Sequence, residues 1–262
     1  MATPGDILRI KQLLPTALGS EELRSTVARD ILRRSVFSAR MESVRHLATI
    51  RDVCADIVGG TINQATARER LLASLAQMGH SPQDGDGLTN PASERRLNLI
   101  IDTQRQMAAS AAKIASETEA TLEEWPAVEL TRFAGRAAPR ADWMERWHAA
   151  GEAVGWQGAS REAGGYPDWR MVALKASPIW QALGDGAGGY RDTLGNPFPP
   201  FAYGSGLAWA DVDREEAVRL GLIGDGEKAP APARPDLSPT DAEIASAVSR
   251  LGFDDLFNDI AG

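Results

Sequence analysis

The stretch "DTLGNPFPPFAYGSGLAW", Asp192 to Trp209, decides how this chain is read. It holds three prolines, three glycines and four aromatic residues in eighteen positions. Pro197, Pro199 and Pro200 fix φ and lack the N–H that a helix interior needs, so the stretch is not helical. It is also too aromatic for a solvated linker. The pattern predicts a rigid, irregular strap, with Phe198, Phe201, Tyr203 and Trp209 pinned onto a small aromatic domain.

Outward from the strap, the aromatic residues partition the chain. All seven tryptophans, all three tyrosines and three of the six phenylalanines lie between Trp125 and Trp209. The remainder is rich in Ala, Leu and Arg, so two kinds of structure are expected. Between Leu23 and Ile57, apolar residues recur mostly three to five apart, the spacing of one helical stripe. Ser20 is the expected N-cap, with Glu21 and Glu22 in the first turn, and Gly59-Gly60 the stop. A second helix is expected from about Asn63 to Met78. A third starts near Pro91 and ends at Glu124-Trp125-Pro126. Helices of this length form a hairpin or bundle.

In the aromatic region "VELTRF", Val128 to Phe133, alternates like a short strand. "ADWMERWHAAGEAVGW" places Trp143 and Trp147 on one helical face. A further helix is expected around Ile179 to Leu183, and another from Val212 to Ile223. "EKAPAPARPDLSP" is an extended Pro/Ala linker. Beyond it, Ser238-Pro239 opens an amphipathic helical tail with an acidic outer face. Ile244, Val248 and Leu251 form one apolar stripe, and Phe253, Leu256, Phe257 and Ile260 another. Such a helix suits a groove on a partner or the chain's own core. The expected fold class is mainly α with a small irregular α+β part. Its regions are 1–124 (long helices), 125–223 (aromatic, loop-rich), 224–237 (linker) and 238–262 (tail).

Composition narrows the chemistry. No apolar run approaches the roughly 20 residues that span a bilayer. The opening "MATPGDILRIKQLL" lacks the order of a secretory signal, so the expected compartment is cytoplasmic. A single cysteine, Cys54, excludes an internal disulfide framework and Cys-pair zinc sites. His46, His80 and His148 have no i, i+4 spacing, so no metal or cofactor site is expected. The net charge of −8 disfavours general nucleic-acid binding. Locally the balance reverses: Arg24 to Arg51 carries seven arginines against Asp30 and Glu42. Arg29, Arg33 and Arg40 mark a solvated helix face there, or a face for DNA or an acidic partner.

Gly184 to Gly189 matches G-x-G-x-x-G as a string. The dinucleotide reading needs a strand before it and a helix after it, and "YRDTLGNP" is not helical, so a flexible turn is expected. The adjacent acids Glu123-Glu124, Glu215-Glu216 and Asp254-Asp255 point about 100° apart on a helix and form no acid/base couple. No catalytic residue is assigned.

"RLNLIIDTQRQMAASAAKIAS", then "PRADWMERWHAAG", then the Trp- and Pro-rich closing segment resembles the phage Mu F-like minor head (head morphogenesis) proteins of tailed phages and prophages. The resemblance spans about Arg95 to Ile223. Thr103 stands at the family threonine, while Asp102 and Gln104 replace the usual Arg and Glu. Arg146 and His148 lie in the charged segment at altered spacing. Pro197, Pro199, Pro200 and Phe201 match the P-P-F loop. The family's His-Pro-Asn-Cys-Arg-Cys ending is absent, with "AYGSGLAW" in its place.

The resemblance implies a non-enzymatic virion protein, present in a few copies near the portal and aiding head assembly. Its partners would be portal and capsid proteins, a sister copy or DNA. It would be found in host cytoplasm and then in the head. Two readings stand beside it. One is an enzyme or toxin effector using His148, Arg140, Arg146 and Tyr203 around a pocket. The other is a DNA-binding virion protein using the Arg24–Arg51 run.

Overall fold

The computed structural model describes residues 3–133, 140–155 and 170–236. The tail stripes from Ile244 to Ile260 lie outside the described residues. The chain is mainly α-helical with a small sheet part. Ten α-helices occur among the described residues, none long and apolar enough to cross a membrane. Two compact units divide inside one helix, between Ala109 and Ser110.

The first unit contains α1 (Pro4–Ile10), β1 (Gln12–Leu13), α2 (Ser20–Thr26), α3 (Arg29–Arg34), β2 (Ser35–Val36), α4 (Val44–Val58), α5 (Gln64–Ala76) and the first part of α6 (Glu94–Ser116). Ser43 and Asn63 cap α4 and α5 by accepting from His46 N and Thr66 N. Gly59 and Gly60 end α4, with Gly60 at φ +74°. Leu8, Leu47, Ile50, Cys54, Leu71, Leu75, Leu97 and Ile101 are buried. A second cluster joins Leu14, Leu23, Val27, Ile31 and Leu32.

The single helix expected across Leu23 to Ile57 is instead three helices and a strand. Val27 is extended and ends α2, and Ser35 is extended and ends α3. Ser35 Oγ returns to Ile31 O at 2.7 Å, while Ser35-Val36 pairs in parallel with Gln12-Leu13. The Thr16–Met41 bridge then holds the turn open. The break at Ser35 falls inside the regular stripe, before its gap between Val36 and Val44. There strand pairing satisfies the backbone that a helix would otherwise have bonded. Gly19, not Ser20, occupies the N-cap of α2, its N–H donating to Glu22 Oε2 at 2.7 Å.

The second unit begins with the end of α6. The helix expected to reach Glu124 stops at Ser116, because Thr118 caps a new helix, α7 (Glu119–Glu124), in a reciprocal box with Thr121. Pro91 precedes the α6 helix, whose entry is held by Arg96 N donating to Ser93 Oγ. A three-stranded antiparallel sheet follows, ordered β4 (Val172–Leu174), β3 (Ala127–Arg132), β5 (Leu207–Val212). Its register pairs Val128 with Ala173 and Leu130 with Trp209.

Alternate strand residues feed two cores. Val128, Leu130, Ala173 and Leu207 meet α8 (Trp143–Ala153) and α9 (Ile179–Asp185). Ala127, Val172 and Val212 meet Leu122 of α7 and Ala217 of α10 (Arg214–Arg219). The segment expected as helix from Val212 is β5 up to Val212, after which Asp213 caps α10. Ala229 of the Pro/Ala segment is buried in this second core.

Candidate functional site

The strap region is the most heavily cross-linked part of the second unit. Its final three residues, Leu207 to Trp209, are strand β5 rather than irregular chain. Before them the chain doubles back: Leu194 N donates to Phe201 O at 2.9 Å, and Thr193 bridges Ala202. Asn196 Nδ2 donates to Pro200 O at 3.0 Å, closing the turn from inside, where the Pro199–Pro200 peptide is cis. The start of the loop is locked to α9. Gly195 N donates to Gly184 O, and a Cβ on Gly184 would run into the Asn196 carbonyl. The Gly184–Gly189 string is therefore a packing contact and a left-handed helix end at Gly186, following a helix rather than a strand. The flexible turn expected there is held rigid by that contact.

The rings point inward. Phe198 and Phe201 are 1% and 0% exposed, and Tyr203 and Trp209 are half-buried. Trp180 is the hub, with ring centroids 6.0 Å from Phe201 and 5.1 Å from both Trp147 and Trp209. Its indole N–H donates to Leu174 O at 2.9 Å, so the buried ring keeps its polar bond.

Charged groups clamp the other end of the strap. Arg146 lies over Tyr190 at 4.2 Å and Trp143 at 5.0 Å. Its guanidinium donates to Asp142 Oδ2 (3.0 and 2.9 Å) and to Asp192 Oδ1 and Oδ2 (2.7 and 3.2 Å). Asp142 is at the N-cap of α8, yet its carboxylate turns to Arg146 instead of capping. Arg140 adds a third bond to Asp192 and donates to Tyr203 O at 3.0 Å. Burial pulls the Asp192 pKa up. The hydrogen bond from Arg146 and the charges of Arg146 and Arg140 outweigh it and hold the carboxyl below its ordinary value. Burial opposes the Arg146 charge, but bonds to Asp192 and Asp142 raise its pKa.

Of the pocket residues considered from sequence, Arg140 and Arg146 thus come together, on a carboxylate the sequence reading did not single out. Tyr203 takes part through its backbone carbonyl. His148, two positions beyond Arg146, is half-buried and is not among the partners of Asp192. The basic run is divided. Arg29 and Arg33 lie four apart on α3, and Arg40 is in the turn after β2. Arg34 of the same run is buried and bonded to Asp30 at 2.6 Å.

Three buried cations escaped the sequence reading. Lys175 donates to Glu117 Oε1 at 2.6 Å, with Asp211 at 3.2 Å. A lysine inside the apolar run "MVALKASPIW" was the available signal. Lys11 donates to Gln104 Oε1 at 3.1 Å across 93 residues, and Arg96 bonds Ser38 Oγ and the carbonyls of Ala39 and Leu88. No group of three or more metal-ligating side chains occurs among the described residues. One cavity, of about 360 Å³, is lined by Glu117, Glu119, Leu122, Glu123 and Lys228.

No protein-family model, curated protein or solved structure matches this chain.

Proposed function

We propose that this chain is a non-enzymatic minor head protein of a tailed phage or prophage, of the Mu F-like kind, acting in head morphogenesis. The supporting observation is the closure of the strap. Phe198 and Phe201 are buried in their own domain, and Arg140 and Arg146 are both bound to Asp192. This is how a chain stiffens an irregular segment so that it presents one fixed surface to an assembly. Such a domain docks as a rigid body on portal or capsid proteins, or on a sister copy, first in the host cytoplasm and then in the head.

The test is to tag the chain in cells that make the whole particle and to purify heads. Mass spectrometry should find it in a few copies per particle, crosslinked to portal or capsid protein. Complete heads that lack it, formed at normal yield when its gene is deleted, would overturn the reading.

A further inference from the structure

Positive charge is concentrated on one helix pair of the first unit. Arg24 of α2 and Arg29 and Arg33 of α3 are exposed or half-buried, and Arg29 and Arg33 lie four apart on one helical face. The stretch from Arg24 to Arg51 holds an excess of five positive charges. Two acids of these helices are already engaged: Asp30 with Arg34 at 2.6 Å, and Glu22 with Gly19 N. Arg33 also bears on the buried Lys11, where burial leads in holding the amine at about 8 and the Arg33 charge adds to it. Leu18, Phe37 and Ala39, packed against the same cluster as Leu23 and Ile31, are only partly buried.

The opposite charge lies in one segment, residues 236–262. It carries six acids against Arg250, an excess of five negative charges. Its first residue is already on the arginine helix: Asp236 Oδ2 is 3.6 Å from Arg34 Nη1, and Asp236 belongs to the first unit. Arg34 is buried and bonded to Asp30, so it is a fixed anchor. An extended residue spans at most about 3.6 Å, so Asp241 and Glu243 lie within about 25 Å of that anchor. At 1.5 Å per residue α3 is about 9 Å long, which puts Arg29 and Arg33 inside that reach. A segment tethered this closely meets its site at a millimolar effective concentration.

We propose that the acidic tail, residues 237–262, docks in cis on the arginine surface of α2 and α3, with Asp236 on Arg34 as its entry point. Charge and tether together select this occupant. Asp241 and Glu243, in the first turn opened by Ser238-Pro239, pair with Arg29 and Arg33. The stripe of Ile244, Val248 and Leu251 takes the apolar surface beside them. Sequence alone allows a groove on a partner or the chain's own core, and the Asp236–Arg34 contact favours the chain's own first unit. Surface ion pairs and a short apolar stripe make a reversible contact, so the tail is a removable cover on the arginines. Docking in cis does not depend on the virion role proposed above.

The experiment is hydrogen–deuterium exchange read by mass spectrometry on the full chain, at two protein concentrations and in low and high salt. Tail amides should be protected at low salt and lose protection as salt shortens the Debye length. Arg29→Glu with Arg33→Glu should speed tail exchange about tenfold. Val248→Asp with Leu251→Asp should speed exchange in α2 and α3, while β3 and β5 exchange as in the parent. Asp236→Asn changes an exposed side chain, so it reads the contact even where the double variants unfold. It should speed tail exchange about twofold to fivefold, as loss of one surface ion pair does. An unprotected tail in the parent would overturn the proposal, as would protection that survives Asp236→Asn, the arginine reversals and high salt alike. Protection lost on dilution would overturn docking in cis and assign the surface to the tail of a second copy.

Discussion

The two compact units differ in how they bury cations. In residues 110–235, each buried or nearly buried cation meets carboxylates. Arg146 has Asp142 and Asp192, Lys175 has Glu117 and Asp211, and Arg170 has Glu129 and Glu216. In the first unit Arg34 has Asp30, but Lys11 and Arg96 meet only amides, hydroxyls and carbonyls. The pKa directions follow. Bonds to Glu129 lead in raising Arg170, whereas burial lowers Lys11 to about 8 and also lowers Arg96. The difference teaches what each charge does. Paired charges pin irregular chain in the strap domain, while Lys11 and Arg96 of the helical unit are held by neutral oxygens alone.

The largest effect should come from unpairing. Asp192→Ala leaves Arg146 with one carboxylate and frees Arg140. We expect a loss of about 2–3 kcal/mol in urea unfolding. That is below the roughly 3–5 kcal/mol of a fully buried pair, because Asp192 is partly exposed. No change would mean that the aromatic hub alone closes the strap.

Next is the removal of a cation that lacks an acid. Lys11→Met should stabilise the first unit by about 1–2 kcal/mol, since an apolar side chain of similar length removes a charge without a counter-ion. The same residue sets a pH slope. The amine is held at about 8 when folded, against an ordinary value of 10.5, so the unfolded chain binds more protons between these values. The Lys11 contribution to stability should therefore rise as pH goes from about 8 to about 10.5, and it should vanish in Lys11→Met. Amide exchange in α1 and α4 reads both. Cys54 acts the other way: burial pushes its thiol from an ordinary 9.0 up to about 12, so above about pH 9 the unfolded thiol loses its proton first and offsets the Lys11 rise, which is clearest between about pH 8 and 9.

The smallest change makes the two units alike. Gln104→Glu gives Lys11 a carboxylate. It should shift the pH slope above 10 and change stability at pH 7 by less than about 1 kcal/mol, since pairing and the burial of a new charge nearly cancel. A large gain would show that the amide was a weakness rather than a balanced choice.

Local chemistry made much of the second unit legible. The alternation in "VELTRF" corresponds to β3, and the four-residue spacing of Trp143 and Trp147 places both rings in the core. Gly59-Gly60 stops α4 as its conformational freedom predicts. The break at Ser35-Val36 was not legible, because its cause is a pairing partner more than 20 residues away at Gln12-Leu13. Nor was Asp192, the first residue of the strap. An aspartate before a turn looks the same whether it faces water or two guanidinium groups.

What the sequence determined by itself is therefore periodic or stereochemical. It set the helical character of α5 and α8, the strand β3, the glycine stop of α4, and that proline-stiffened aromatics belong to one segment. These follow from backbone sterics and from burying apolar surface, which act over a few residues. Tertiary structure alone decided which charges meet. Lys11 finds Gln104, Arg146 finds Asp192 and Arg40 stands before Arg96, because electrostatic partners are chosen by proximity in space and spacing along the chain does not record it.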